Sequence, residues 1–327
     1  MTTDWRPGAT LDTLRLRARL LERVRAFFAA RGVLEVETPL LSVAAGTDPA
    51  LESLRTAYHG PGLPAGQPLY LHTSPEFPMK RLLAAGSGPI YQVARVFRDG
   101  EAGARHNPEF TLLEWYRPGW GIDRLMDEVE ALVRGLHEGG TALPATRRQP
   151  YRDLFREYLD LDPLTANVAE LRGRGEGAGL PVPAGLPADD PDPWRDWLLT
   201  HLIEPRLGPG LVFVHDYPAS QAALARLRSD DPAVAERFEL YWDGLELANG
   251  FHELGDAAEQ RARFAADNHK RRALGLPAMP LDERLLAALD AGLPDCSGVA
   301  LGLDRLLMRL AGLERIDQVL AFAIERA

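Results

Sequence analysis

Three stretches of the chain gather residue types suited to phosphate, a divalent cation and an ammonium group. FRDGEAGARHNPEF, from Phe97 to Phe110, sets Arg98, Arg105 and His106 in a polar run with Phe110 at its far side. Guanidinium groups grip phosphate oxygens in pairs, and an aromatic ring gives a base a surface to stack on. FELYWDGLELANGFHEL, from Phe238 to Leu254, carries Glu239, Glu246 and Glu253 at seven-residue steps. Folded back as a hairpin, it lets Glu239 and Glu246 face one another. Carboxylates that close need a partner, and Mg²⁺ with oxygen ligands suits them. GVALGLDRLLMRL, from Gly298 to Leu310, offers small residues that admit a ligand close to a strand backbone. Arg305 then opens a helix, where its guanidinium and the helix N-terminus share a phosphate. Each segment has a plainer alternative: a solvated hairpin tip, surface glutamates, a helix-surface arginine. The glutamates are the hardest to dismiss, because Glu246 and Glu253 interrupt an apolar run.

Elements to position these residues are legible on either side. Leu11, Leu14, Ala18, Leu21, Val24 and Phe28 recur at helical steps and predict an amphipathic helix that Gly32 ends. Val33 to Leu41 is β-rich and turns at Thr38-Pro39. Val93–Phe97 and Phe110–Tyr116 read as strands joined by a polar loop, and Asp123 caps a helix from Arg124 to His137. Phe238 to Phe251 reads as strand, turn at Asp243-Gly244, strand. Gly298 to Gly302 is a short strand, and Asp304 opens a helix through Leu310. The Gly/Pro-rich stretch 171–193 has little periodicity and predicts a long loop. Strands paired across turns with helices between them indicate an α+β fold with an antiparallel sheet. Neither GxGxxG nor GxxxxGK[ST] occurs.

Bulk properties narrow the function classes. The chain has 327 residues, 46% of them apolar, enough for one large core or two modest ones. Met1 to Thr10 is polar with no apolar signal segment, and no run is long enough to span a membrane. One cysteine, Cys296, excludes an internal disulfide and fits a reducing cytoplasm; we expect it in a packed turn, with no nucleophilic role. Against 47 acidic residues stand 37 basic ones, a formal charge of −10 with no dense Lys/Arg run, which leans away from a large nucleic-acid contact.

Together the three segments resemble motifs 2 and 3 of the class II aminoacyl-tRNA synthetases, with RGVLEVETPLL (Arg31 to Leu41) as motif 1. HNPEFTLLEWY beside ELANGFHEL is specific to the lysyl branch. The resemblance covers nearly the whole chain, weakest between Thr141 and Asp231. It implies a single class II catalytic domain over residues 1–327, an antiparallel β-sheet flanked by helices. Only residues 1–30 precede motif 1, too few for the anticodon-binding β-barrel of a lysyl-tRNA synthetase. TSPEFPMKRLLAAGSGPIYQ, YPASQAALA and LPDCSGVALGLDR are similar to segments of the elongation factor P–(R)-β-lysine ligases, a family that lacks that barrel.

The resemblance implies a role for each matching residue. Arg98 grips the α-phosphate and Arg305 the γ-phosphate of a bent ATP, with His106 near the phosphates and Asp99, Gly100, Glu101 and Arg105 among the ATP-binding residues. Asn107 and Phe110 hold the adenosine, Leu247 lies along the nucleotide, and Gly302 lets it pack on the strand. Glu239 and Glu246 match Mg²⁺ ligands. Ser74 and Pro75 border the amino acid, and Glu76 binds the amino group nearer its carboxylate. Glu114, Tyr116 and Glu253 surround the distal ammonium, with Asn249 and Phe251 shaping the pocket. Ser74 replaces a usual alanine and Ala300 the first glycine of motif 3, which implies a pocket reshaped for an amino group on the β-carbon. Such a change is worth only about 1–3 kcal/mol, too little to rank α- against β-lysine on physics alone. The family's Arg-Asn-Glu or Arg-Asp-Glu run is Arg98, Asp99, Gly100, Glu101 here. The glutamate that reads adenine is thus glycine, and Glu101 lies one place along.

The expected activity is ATP-dependent adenylation of (R)-β-lysine, or of lysine, and transfer to a lysine ε-amine of elongation factor P. Two alternatives stay open: a truncated synthetase that acylates tRNA or another small acceptor with lysine, and a non-catalytic paralogue acting as a regulatory subunit. Retention of Arg98, Arg305, Glu239 and Glu246 argues against the second, and the missing barrel makes tRNA the lesser partner. A cytoplasmic homodimer built around Pro39 is implied, with no membrane contact. Arg147, Arg148, Lys270, Arg271 and Arg272 are candidates for a basic docking patch.

Overall fold

The computed structural model describes residues 5–137 and 142–327, so the first four residues of the polar N-terminal segment lie outside it. In chain order the elements are α1 (Leu11–Ala29), β1 (Leu34–Glu35), β2 (Leu41–Ser42), β3 (Arg55–Tyr58), β4 (Gln67–Leu71), α2 (Glu76–Ala84), β5 (Ile90–Phe97), β6 (Glu109–Pro118) and α3 (Ile122–Leu136). Then come β7 (Arg147–Pro150), α4 (Tyr151–Leu159), α5 (Val168–Gly177), α6 (Asp192–Leu198), β8 (Leu211–Pro218), β9 (Val234–Trp242) and β10 (Leu245–His252). The chain ends with α7 (Ala257–Ala273), α8 (Glu283–Gly292), β11 (Cys296–Gly302) and α9 (Leu303–Ala311). The mixture is α+β, as the sequence predicts. Two compact units form, Met1–Gly139 with Glu253–Ala327, and Gly140–His252.

The first unit is organised by strands in the order β1-β5-β6-β11, antiparallel except where β1 meets β5. Because side chains alternate along a strand, the register sorts residues onto two faces. Ile90↔Tyr116↔Gly298 and Gln92↔Glu114↔Ala300 share one face, as do Ala94↔Leu112↔Gly302. Tyr91, Trp115 and Val299 share the other, which α1 and α3 cover. Phe28 of α1 stacks on Tyr91 with ring centroids 4.4 Å apart and meets Trp115 edge-on at 5.3 Å. Glu128 of α3 is buried there, held by Arg117 at 2.6 Å and by the Trp115 indole N–H at 3.1 Å. One face is therefore a dry core, and the other carries Glu114, Tyr116 and the small residues of β11. Thr10 caps α1, and Gly32 (φ +63°) takes the left-handed turn after it. A second sheet, β2-β4-β3, completes the strands of this unit among the described residues.

The second unit has strand order β10-β9-β8-β7, with only β7 and β8 parallel. Asp243 (φ +48°) and Gly244 (φ +70°) form the two-residue turn between β9 and β10, both left-handed as a tight hairpin turn requires. Its core packs Tyr151, Phe155, Leu171 and Trp197 against Val212 and Val214 of β8.

Four expectations need correction. Residues 171–193 are not one loop, since α5 runs through Gly177 and α6 begins at Asp192. A reciprocal capping box between Asn167 and Glu170 starts α5, and buried Leu171 anchors it. Glycines at 173, 175 and 177 hid that helix; Gly175 is required because a Cβ there would lie 2.1 Å from the Trp197 ring. Cys296 opens strand β11 rather than sitting in a turn, buried and pushed up in pKa by burial and by Glu253. The helix α3 starts at Ile122 with Gly121 at its cap position, so Asp123 lies in the first turn and not at the cap. Arg271 belongs to no surface patch. It is fully buried, bonded to Glu52 at 2.5 Å and to the carbonyls of Asp48 and Pro277. Arg147, Arg148, Lys270 and Arg272 are exposed.

Candidate active site

The polar end of the β5-β6-β11 face is built on Glu114. Both of its oxygens accept hydrogen bonds from neutral donors, the Tyr116 hydroxyl at 2.7 Å and the Ser74 hydroxyl at 2.7 Å. Ser74 also accepts from the backbone N–H of Glu76 at 3.0 Å, which ties the start of α2 to the same carboxylate. Burial, and then the charge of Glu76, push the Glu114 carboxyl up to about 7 against the pull of the two hydroxyls. Glu114 is therefore a buried anion without a cation of its own within hydrogen-bond reach. Such a group favours a cationic ligand.

Beside it, Glu76 and Glu253 are joined by a lysine to which the sequence analysis gives no role. Lys80, one turn along α2 from Glu76, is 1% exposed. Its Nζ lies 2.7 Å from Glu76 Oε1 and 2.6 Å from Glu253 Oε2. Burial would pull the ammonium down, but Glu253 and Glu76 outweigh it and hold its pKa above the ordinary value. Gly298 seats the group from β11: a Cβ there would come 2.3 Å from the Tyr116 ring and 2.6 Å from Glu253 Oε1. Ala300 lies directly across from Glu114 in the sheet. Pro75 is buried at the start of α2.

Arg98, Phe110 and Arg305 belong to the other end of these strands. Arg98 follows β5, with its guanidinium carbon 5.0 Å from the Phe110 ring centroid and one nitrogen 3.5 Å from Glu101. Gly100 has φ +79°, which favours glycine at this turn whatever its chemical role. Asp99 is exposed, its N–H bonded to the Glu52 carbonyl. Arg305 stands in the first turn of α9 and lies 2.7 Å from His106 Nε2. Partial burial and the Arg305 charge lower the His106 pKa, so the neutral ring accepts this bond. The Arg105 carbonyl also accepts from Arg305, at 3.4 Å, while its side chain is exposed. Asp304 fixes the approach of α9 by pairing with Arg17 and accepting from the Thr111 N–H at 2.7 Å. Asn107 is committed to the fold: its amide donates to the Glu109 carbonyl and accepts from the Ile324 N–H.

In the second unit Glu239 is buried. Tyr217 and Tyr241 donate to one oxygen at 2.6 and 2.5 Å, and Arg237 donates to the other at 2.5 Å. The register places Glu246 opposite Tyr241 and Glu239 opposite Asn249, with a bulge after Glu246. The two glutamates are therefore diagonal neighbours on one face and not directly opposed. Asn249 accepts from Arg237 at 3.2 Å, Leu247 is buried, and Phe251 packs on Ala222, Ala225 and Ala235.

Comparison with known proteins accords with this arrangement. The family of class II tRNA synthetases for D, K and N matches residues 2–326. A protein of Proteus mirabilis named elongation factor P–(R)-β-lysine ligase is 51% identical over 329 residues, covering 99% of this chain and 98% of its own. Proteins of the same name from Pectobacterium atrosepticum and Vibrio cholerae are each 50% identical, with at least 99% of both chains covered. The chain belongs to this ligase family.

Of the residues that the resemblance assigns, the first unit brings Ser74, Glu76, Glu114, Tyr116 and Glu253 into one cluster, and Arg305 with His106 into another. Asn107 spends both ends of its amide on the protein itself, and Asn249 its amide oxygen. A ligase of this family uses ATP, and a divalent cation would need oxygen donors beyond two glutamates, since no group of three metal-ligating side chains occurs among the described residues. A cation at the β9-β10 hairpin would have to share Glu239 and Glu246 with oxygens of a ligand. Glu239 has one oxygen filled by two tyrosine hydroxyls and the other in an ion pair with Arg237, so a cation there would compete with that guanidinium for the remaining lone pair. Lys80 and Gly298 are the site residues that the sequence reading missed. The four-residue step from Glu76 on a helix was the available signal for Lys80.

Proposed function

We propose that the enzyme forms (R)-β-lysyl-adenylate from (R)-β-lysine and ATP and passes the acyl group to a lysine ε-amine of elongation factor P. The observation that carries this is the cluster of buried Glu114 and Glu253 with the partly buried Glu76 and the Tyr116 and Ser74 hydroxyls. Three carboxylates taken out of water need cationic groups, and a diamino acid supplies two. The names of relatives at about half identity over the full length supply the β-lysine and the acceptor protein. The whole chain is then one class II catalytic domain, the extent over which the family matches.

Adenylate formation is attack by the substrate carboxylate on the α-phosphorus, with pyrophosphate leaving. It needs charge neutralisation and alignment rather than a protein nucleophile. Arg98 is the candidate for the α-phosphate and Arg305 for the γ-phosphate, the latter steadied by neutral His106. Glu239 and Glu246 would hold Mg²⁺, which supplies further neutralisation at the phosphates. Phe110 offers the stacking surface for adenine, with Leu247 and Gly302 along the nucleotide. Ser74 fixes Glu114 and Ala300 narrows the wall opposite it, and these two contacts would set the position of the β-amino group. A buried thiol without a disulfide partner accords with the cytoplasm.

The decisive assay is ATP–pyrophosphate exchange with (R)-β-lysine and with α-lysine, followed by transfer of labelled acyl group. Exchange driven by β-lysine and label on elongation factor P are expected. Label on tRNA, or no exchange with either isomer, would overturn the reading.

A further inference from the structure

The recognition pocket contains a cation of the protein's own. Lys80 Nζ is within 2.7 Å of Glu76 and 2.6 Å of Glu253, and its side chain is 1% exposed. No other basic side chain is paired with these carboxylates among the described residues, and Glu114 is satisfied by hydroxyls alone. With every acid ionised, three carboxylates and one ammonium leave two net negative charges. That number equals the ammonium groups of a diamino acid. A pocket with three uncompensated carboxylates would instead hold one of them as the neutral acid, because buried like charges suppress each other's ionisation.

We propose that Lys80 is a positioning and specificity-determining residue: its ammonium holds Glu76 and Glu253 in place and offsets part of the cost of ionising Glu253, so the fully ionised cluster carries two net negative charges and selects amino acids with two ammonium groups. The inference rests on the proposed activation reaction. Its geometry is independent of that reaction, because the contacts of Lys80 with Glu76 and Glu253 lie within the protein itself. The groups that face Glu253 are Lys80 and Glu76 from α2, Glu114 and Tyr116 from β6, and Cys296 from the start of β11. Only Lys80 is cationic. Its removal therefore leaves burial and acidic neighbours to push Glu253 towards the neutral form.

The sign of the effect follows. In Lys80→Met, Glu253 holds a proton at low pH and binds the substrate ammonium poorly; raising the pH ionises it and restores the contact. Glu253 is already raised to about 8 with Lys80 beside it, so we expect the KM for (R)-β-lysine in pyrophosphate exchange to exceed that of wild type by about tenfold near pH 7 and to level off only at a pH displaced upward from that of wild type. The KM for ATP should stay near the wild-type value. An analogue without the distal amine gains nothing from ionised Glu253, so its KM should not show this added pH dependence. Lys80→Met with Glu253→Gln removes both charges of the ion pair and guards against misfolding. In that double variant the added pH dependence should vanish. A Lys80→Met profile parallel to wild type would overturn the proposal. So would an added dependence that persists with Glu253→Gln, or one shared by the analogue. Failure of the activation reading is distinguishable, since wild type itself would then show no exchange, and calorimetric binding of (R)-β-lysine to the same three proteins would still test Lys80.

Discussion

Glu114 is the side chain whose environment has the plainest consequence for pH. Its carboxyl is pushed from 4.5 up to about 7 by burial and by Glu76, so between those values the unfolded chain gives up a proton that the folded chain keeps. Folding stability from this group is thus fully present below about 4.5 and is lost as pH rises through about 7. A cationic ligand reverses the penalty, because only the ionised carboxylate pairs with it. The thermal shift produced by saturating (R)-β-lysine should therefore grow from pH 6 to pH 8, and Glu114→Gln should flatten that trend. A shift independent of pH in wild type would count against this assignment. At this scale an apolar run marked Glu253, whereas Glu76 and Glu114 came only from the family resemblance. The sequence could not mark their counter-ion. Lys80 reads as half of a Lys-Arg pair until α2 places it one turn from Glu76 and against Glu253, a contact across 173 residues (253 − 80). Arg271 was misjudged for the same reason, as a long basic side chain is assigned to the surface unless its acceptors are known.

Among the elements, the strands and hairpin were legible because alternation and the Asp-Gly turn are local signals. Helix α5 was not, since its stability comes from a capping box and from packing against a residue more than twenty positions away. Gly175 shows the conflict. Alanine in a helix interior is ordinarily favoured over glycine by about 1 kcal/mol. Here a Cβ would lie 2.1 and 2.2 Å from two atoms of the Trp197 ring, itself packed in the core of the second unit. Overpacking of that kind typically costs about 1–3 kcal/mol, so it decides the sign. Gly175→Ala should lower the urea midpoint with the slope unchanged. Gly173→Ala, where a Cβ meets nothing within 4 Å, should leave the midpoint equal or raise it. Equal midpoints for the two variants would show that the ring moves aside at little cost.

At the scale of the molecule, net charge and composition gave limits but no partner, and the self-association implied around Pro39 depends on surface features that a sequence shows only in part. β1 is an edge strand of its sheet, and β2 is an edge strand of the second sheet. Open edges invite pairing unless they are charged, twisted away or covered. Here they carry apolar side chains instead: Leu34 is 56% exposed, Leu40 41% and Leu41 44%, on either side of exposed Pro39. We propose that a second copy covers this region in a two-fold dimer, which brings the same patch of each copy together. An interface of standard size hides about 800 Å² per partner, more than three leucines supply, so neighbouring polar residues must join it. Sedimentation equilibrium at micromolar concentration should then give twice the 36.0 kDa chain mass. Replacing Leu34 and Leu41 together by glutamate places four like charges in that interface, two from each copy, and should shift the protein to the single-chain mass. Circular dichroism should remain unchanged, because neither leucine is buried within its own chain. A wild-type protein that sediments at 36.0 kDa would remove the dimer, and a variant that stays dimeric would move the interface elsewhere on the surface.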